Sequence, residues 1–160
     1  MLPVSKGDEV FERTGDSISP FRIKIHGNVE WQDTTGSGPC MSRVMLIQSK
    51  QKFIPSTLAS AGSAQCVLAR GGSIQAPISH FDMNNRSKFI VHYDRIFNND
   101  FQRPQTVFTI NKKISKNTVF EDAATNIADS GQLYLLFWSD QPLATNPRRT
   151  FNARTYYKDS

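Results

Sequence analysis

Apolar and polar side chains alternate along much of this chain, and a period of two residues is the pattern of β-strands. Residues 21–31 show it most clearly, with Phe21, Ile23, Ile25, Val29 and Trp31 on one parity. The opposite parity is polar and holds Arg22, Lys24, His26, Asn28 and Glu30. These residues are therefore predicted to form a strand with one face in the core and the other in solvent.

Two other runs are apolar on both parities, at residues 44–47 and 133–138. Successive residues of a strand point to opposite faces, so both faces of these strands must be covered. A second sheet would cover one face, and long loops or neighbouring chains would cover the other. Gly131 and Pro142 bound the second run, because proline cannot donate a ladder hydrogen bond. Both runs are predicted to be central strands.

The chain contains eight strand-like segments and no predicted helix longer than two turns. The predicted strands are residues 2–6, 21–31, 42–49, 88–97, 106–114, 118–120, 133–138 and 150–159. This number favours an all-β fold, a single eight-stranded jelly roll of two packed four-stranded antiparallel sheets. An immunoglobulin-like sandwich is the alternative, although Trp31 precedes both Cys40 and Cys66 instead of lying between them.

Residues 50–87 lose the strand period and are rich in Ser, Ala and Gly. We predict a long loop between strands here, with one or two helical turns at residues 55–62. At 160 residues the chain has the size of one domain, so residues 1–160 are predicted to form a single domain that contains this loop.

Cysteine content and hydropathy narrow the class of protein. Cys40 and Cys66 are the two cysteines, which leaves no disulfide framework and no zinc-finger spacing. No charged segment followed by an apolar core opens the chain, and no segment approaches the roughly 20 apolar residues of a membrane span. We expect a soluble, unsecreted protein with no membrane insertion.

Candidate catalytic and metal-binding residues are few. His26, His80 and His92 lie on different segments, without the spacing of a zinc site, and are interpreted as surface or loop histidines. No GxSxG elbow selects a serine nucleophile, and the paired glycines lack the lysine of a phosphate loop. We expect no enzymatic activity, no metal and no cofactor.

The formal net charge of +5 makes attraction to polyanions plausible, although Lys and Arg are scattered along the chain. The basic residues on predicted strands or near their ends have two interpretations, a solvated sheet face or a contact with nucleic acid or another subunit. They are Arg22, Lys24, Arg43, Lys112, Lys113, Arg148 and Arg149.

Several blocks are distinctive when they are taken in order. They are Gly7, RTGDSI at 13–18, IKIHG at 23–27, RVMLI at 43–47, FIVHYDRIF at 89–97, GQLYLL at 131–136 and the closing residues 151–160. Together they resemble the coat proteins of the geminiviruses and of related viruses with circular, Rep-encoding single-stranded DNA genomes. The resemblance spans nearly the whole chain.

This resemblance implies a capsid subunit with a single jelly-roll domain, which self-assembles into a small icosahedral (T=1) shell around circular single-stranded DNA. It also implies localisation in the virion, and in the host nucleus or cytoplasm during assembly; the host receptor is unknown. Coat proteins of the family usually carry an Arg/Lys-rich arm before the first strand, whereas here Met1 lies almost at that strand. The expectation is that such an arm has been removed or that this member packages its genome differently. A non-viral jelly-roll binding module, cytokine-like or lectin-like, remains the alternative.

In shells that resemble this one, the sheet of the first, eighth, third and sixth strands commonly lies toward the lumen. Here it would contain residues 2–6, 150–159, 42–49 and 118–120. If Ala153 and Val44 point into the core, the opposite parity sends basic side chains outward from it. Five basic residues are predicted to contact single-stranded DNA in the lumen, independently of its base sequence. They are Lys6, Arg13, Arg43, Arg154 and Lys158.

Overall fold

The computed structural model describes residues 17–31, 38–53, 67–69, 75–119, 128, 130–141 and 147–159, with side chains up to Tyr157. Seven β-strands lie in these residues, and the all-β prediction is confirmed. They are β1 Ser17–Glu30, β2 Cys40–Ser49, β3 Phe89–Asn99, β4 Gln105–Lys113, β5 Thr118–Val119, β6 Leu133–Ser139 and β7 Arg148–Asp159. Two 3-10 helices, Ala76–Ile78 and Arg86–Lys88, are also described. Across these ranges no helix is long and apolar enough to span a membrane.

Sheet 1 consists of β1, β4, β5 and β7, and β1 lies at its centre. Arg22 pairs with β7 and with β4, while Ile18 pairs with β7 and with β5. Both β4 and β5 therefore lie on the side of β1 opposite β7. The Ile114 N–H donates to the Phe21 carbonyl at 3.1 Å, so β5 continues the path of β4 along β1 after an irregular stretch. All pairings in this sheet are antiparallel.

Sheet 2 consists of β3, β2 and β6 in that order, again with antiparallel pairing. Almost every residue of β2 is buried, as its apolar character on both parities predicts. Both faces of β6 are covered as predicted, but β6 is not a central strand among the described strands, because there it pairs with β2 alone.

Two apolar layers cover the faces of sheet 2. The layer between the sheets contains Val44, Leu46, Phe97, Phe108 and Ile110, among other residues. The second layer lies on the outer face of sheet 2, where Met45 and Ile47 meet side chains from the segment that follows β2. Those side chains are Phe53, Val67, Leu68, Ala76 and Phe81. The described parts of residues 50–87 therefore form the loop cover that the doubly apolar strands require.

The predicted membership of the luminal sheet is partly wrong. Residues 150–159 and 118–119 do share sheet 1, but residues 42–49 belong to sheet 2. The reason is that β1 pairs with β7 along nearly its whole length, so β1 takes the place beside the last strand. The predicted first strand at residues 2–6 and the helical turns at residues 55–62 lie outside the described residues.

Gly131 joins the two sheets just before β6. Its N–H donates to the Ser49 carbonyl at 2.8 Å, and its carbonyl accepts from Gln48 Nε2 at 2.8 Å and from Thr118 Oγ1 at 3.0 Å. Its φ is +79°, and a Cβ at this position would overlap the Asn117 carbonyl. Glycine is required here for both conformation and space.

We expect Gly131→Ala to lower the free energy of unfolding by about 3 kcal/mol, because strain in the left-handed region and a backbone clash act together. Gly38→Ala is the matched control, since a Cβ there would meet nothing within 4 Å. The control should stay within about 0.5 kcal/mol of the wild type in urea denaturation. Equal midpoints for the two variants would contradict this role of Gly131.

Candidate nucleic-acid interface

The outer face of sheet 1 carries the polar parity of β1. Because β7 and β4 pair with β1 on its two sides, residues far apart in sequence form three rows across this face. The rows are Tyr156, Arg22 and Lys113; Arg154, Lys24 and Asn111; and Asn152, His26 and Thr109. We call these nine residues the cationic face, since they include four basic side chains and no acidic one.

Spacing within the cationic face follows from sheet geometry. Rows are separated by two residues, about 7 Å, and neighbouring strands by about 4.8 Å. Polar contacts fix some of the side chains: Arg22 Nε donates to Asn111 Oδ1 at 2.8 Å, and His26 Nδ1 lies 3.2 Å from Thr109 Oγ1. The face therefore presents cations at regular intervals on a rigid sheet.

Tyr156 is the aromatic residue of the cationic face. Its ring lies 5.7 Å from Lys24 Nζ and 6.0 Å from the ring of Phe21, measured between ring centroids in the second case. A hydrogen bond from Arg154, together with the positive charges of Lys24, Arg154 and Arg22, holds the pKa of the Tyr156 hydroxyl below its usual value. The ring thus lies in a strongly positive environment.

A shallow depression of about 300 Å³ opens within the cationic face, lined by Lys24, His26, Asn152, Arg154 and Tyr156. Ammonium and guanidinium groups neutralise phosphates, and a partly exposed aromatic ring such as that of Tyr156 offers a surface on which a base can stack. Asn152 and His26 add further polar groups. This combination suits a single-stranded nucleic acid better than a small uncharged ligand.

Arg154 is the predicted site residue that the structure brings into this face. Its neighbour Ala153 packs toward the core between the sheets, and Arg154 is exposed, so the predicted parity of the last strand is confirmed. Lys158 lies on β7 as Arg154 does, and its backbone pairs with Ser19 of β1, but its side chain lies outside the described part. Lys6 and Arg13 also lie outside the described residues.

Arg43 was predicted to reach the lumen, and this prediction is wrong. The residue is 7% exposed, and its guanidinium forms two hydrogen bonds with the Asp94 carboxylate, at 2.7 and 2.6 Å. Arg43 Nη1 also donates to the carbonyls of Pro77, at 3.3 Å, and Ser79, at 2.5 Å. The Phe81 ring lies 5.7 Å from the Arg43 guanidinium.

The physical reason is the loop cover on sheet 2. The parity argument was correct for Val44 and Leu46, which do face the core between the sheets. The opposite face of β2, however, is covered by the described segment that includes Ala76–Ile78, and Arg43 anchors this segment to the sheet. These bonds use four of the five N–H groups of the guanidinium, and the residue is buried, so Arg43 is not available as a contact for a phosphate group.

The sequence did not select Arg22, Lys24, Lys113 or Tyr156 as site residues. For the first three, the sequence left two interpretations open, a solvated sheet face or a contact with nucleic acid or another subunit. The sequence shows which face of the strand each residue occupies, but it does not show which residues of other strands lie beside it. Knowledge that β1 pairs with the last strand would have identified these residues, because this pairing places Lys24 beside Arg154.

The histidines are separated in the described residues, as their sequence positions indicated. His26 and His80 are exposed, whereas His92 is partly buried, with its Nε2 3.3 Å from Gln48 Oε1. Burial, and secondarily the charge of Lys112, lowers the pKa of His92. In the described ranges no group of three or more His, Cys, Asp or Glu side chains is placed to hold a metal ion.

Comparison with models of known protein families and with curated proteins finds no match to this chain.

We expect Arg43→Met to lower the free energy of unfolding by about 3 kcal/mol, because it leaves Asp94 and two carbonyls without their donor. Arg95→Met, at an exposed position of β3, is the control and should change stability by less than about 0.5 kcal/mol. Binding of single-stranded DNA to folded Arg43→Met should equal that of the wild type. Stability like that of the control, with a loss of DNA binding, would restore Arg43 as a nucleic-acid contact.

Proposed function

We propose that this chain is a structural coat subunit that assembles into a small closed shell around single-stranded DNA, and that the cationic face contacts the genome. The observation that carries the proposal is the cationic face itself, with four basic side chains and an aromatic ring on one face of a β-sandwich. The ordered sequence blocks that resemble geminivirus-like coat proteins support the same function.

Strand order supports a jelly roll as the finer description of the fold. In an eight-stranded jelly roll, the neighbours are one, eight, three and six in one sheet and two, seven, four and five in the other. If β1 is the third strand, then eight, three and six are β7, β1 and β4, with β5 as the continuation of β4. Seven, four and five are then β6, β2 and β3. Both series agree with the described pairings.

Binding to DNA would depend on charge and stacking. Arg22, Lys24, Lys113 and Arg154 neutralise phosphates, and Tyr156 stacks against a base. None of these contacts distinguishes one base from another, because phosphates and the π-faces of bases are common to all sequences. The interaction is therefore sequence-independent and weakens as salt rises.

Exposed apolar side chains on other surfaces support the assembly of subunits. Phe101, Met83 and Ile78 are large apolar residues with most of their side-chain surface exposed, and they lie outside sheet 1. Contacts between copies would remove such surface from water, and closed symmetry would end the assembly at a particle of fixed size.

Electron microscopy and light scattering of the purified chain should detect closed particles of uniform diameter that protect DNA from nuclease. The physical reason is that repeated identical contacts close under point symmetry. Observation of monomers and trimers alone, over a range of salt and protein concentrations, would favour a cytokine-like or lectin-like binding module instead.

We expect the double variant Lys24→Gln, Arg154→Gln to reduce the slope of log K against log salt for oligo(dT) binding by about 1.4, at about 0.7 for each phosphate that is no longer neutralised. Tyr156→Ala should weaken binding about tenfold or more with little change in this slope, because stacking is not electrostatic. Arg95→Gln, Arg103→Gln on sheet 2 and its adjoining turn is the charge-matched control. Equal loss of binding in the control would show that net charge, and not this face, determines affinity.

A further inference from the structure

A β-bulge near the start of β1 turns one aromatic side chain out of the core. The register between β1 and β7 shifts between Pro20 and Arg22, so that Phe21 and Arg22 together stand opposite Tyr156. Two residues against one is the arrangement of a bulge, which re-aims the side chains where it occurs. By period alone Phe21 shares the parity of Ile23 and belongs in the core, yet it is 47% exposed. The bulge accounts for this difference.

Pro20 explains why the bulge occurs at this point. β1 lies at the centre of sheet 1, where a proline cannot donate its share of the ladder hydrogen bonds. Sheets accept proline at edges, at strand starts and at bulges, and Pro20 is buried beside the irregular register. On the other side of β1 the backbone of Phe21 is held, since the Ile114 N–H donates to its carbonyl at 3.1 Å. The outward position of Phe21 therefore follows from the proline that precedes it.

The Phe21 ring lies beside the cationic face. Its centroid is 6.0 Å from that of the Tyr156 ring, and the two ring planes are inclined by 46°. Arg22 follows Phe21 in the chain and pairs with Lys113 of β4, while Lys24 Nζ lies 5.7 Å from the Tyr156 ring centroid. Two adjacent aromatic rings thus lie next to three of the four basic residues of the cationic face.

We propose that Phe21 is a second stacking residue of this interface, and that Phe21 and Tyr156 receive two neighbouring bases of a single strand, one base on each ring. A single exposed apolar side chain is ordinary on a protein surface. Phe21 differs because a bulge places it beside another aromatic ring and beside groups that neutralise phosphates. Stacking on aromatic rings is a principal source of affinity for unpaired bases. The inference rests on the proposed contact of the cationic face with single-stranded DNA.

Ring geometry indicates one base on each ring, and not one base between the two rings. A base held between two rings needs parallel planes and two stacking distances, about 6.8 Å at about 3.4 Å each. The planes of Phe21 and Tyr156 are inclined by 46°, and their centroids are closer than this distance. The rings therefore offer separate surfaces, and neighbouring bases must leave their mutual stack to use both. Bases inside a duplex cannot do so, which favours single strands at this site.

Binding of oligo(dT) to the full-length chain tests the proposal at protein concentrations where light scattering detects no particles. Phe21→Leu keeps an apolar side chain and removes the ring, so it should weaken binding about tenfold without changing the slope of log K against log salt. Phe21→Trp should bind at least as tightly as the wild type, and DNA should quench the fluorescence of the new indole. Phe101→Leu, at an 81% exposed position in the turn between β3 and β4, is the matched control and should leave affinity unchanged.

The Tyr156→Ala background separates direct stacking on Phe21 from support of the Tyr156 ring. If Phe21 binds a base itself, Phe21→Leu should weaken binding by a further factor of about five or more in this background. If the effect of Phe21→Leu disappears there, Phe21 only orients Tyr156 and the proposal is overturned.

The inference and the coat function fail in different ways. If Lys24→Gln, Arg154→Gln reduces binding but Phe21→Leu does not, the cationic face remains the interface and the stacking role of Phe21 is wrong. An effect of Phe21→Leu on particle formation alone would assign the residue to a contact between copies and would also overturn the inference. Absence of particles under all conditions would refute the coat function without affecting the binding result. A wild-type chain that does not bind oligo(dT) would overturn both.

Discussion

The burial of β2 on both faces is the constraint on which the rest of the molecule depends. A strand with apolar side chains on both parities needs a layer above and a layer below, and sheet 1 and the loop cover supply them. Its polar residues are also buried, and the two large ones, Arg43 and Gln48, have specific partners, whereas the hydroxyl groups of Ser42 and Ser49 have none in the described part of the chain. Gln48 is fully buried and donates to the carbonyls of Lys116 and Gly131, while His92 contacts its oxygen. Arg43 is satisfied by Asp94 and two carbonyls of the cover.

The burial of both faces of β2 also explains which sheet is covered and which carries the exposed polar face. Because the outer face of sheet 2 is covered, the outer face of sheet 1 is the sheet face that no described segment covers. β1 fits this position, since its polar parity places Arg22, Lys24 and His26 there. The cationic face therefore has two causes. The loop covers sheet 2 and not sheet 1, and β1 pairs with β7.

Periodicity in the sequence predicted which residues face the core and which do not. Parity was correct for Ile23, Ile25, Val44 and Ala153, because it depends on the geometry of a single strand. Neighbouring strands and face coverage could not be predicted this way, because both depend on contacts between residues far apart in the chain. Arg43 illustrates the difference: its parity was correct, yet carbonyls more than 30 residues away, at Pro77 and Ser79, determine its role. Lys24 and Arg154, 130 residues apart, are brought together in the same way.

The anchoring of the cover by Arg43 has a consequence for how the molecule opens. Lifting the segment near Ala76–Ile78 from sheet 2 would remove the carbonyl acceptors of a buried guanidinium and expose the apolar layer beneath it. Separation of the cover alone is therefore costly, and we expect the cover and sheet 2 to open together as one cooperative unit. The free energy needed to open this surface loop should therefore be close to the global free energy of unfolding, whereas most surface loops open at a much lower free energy.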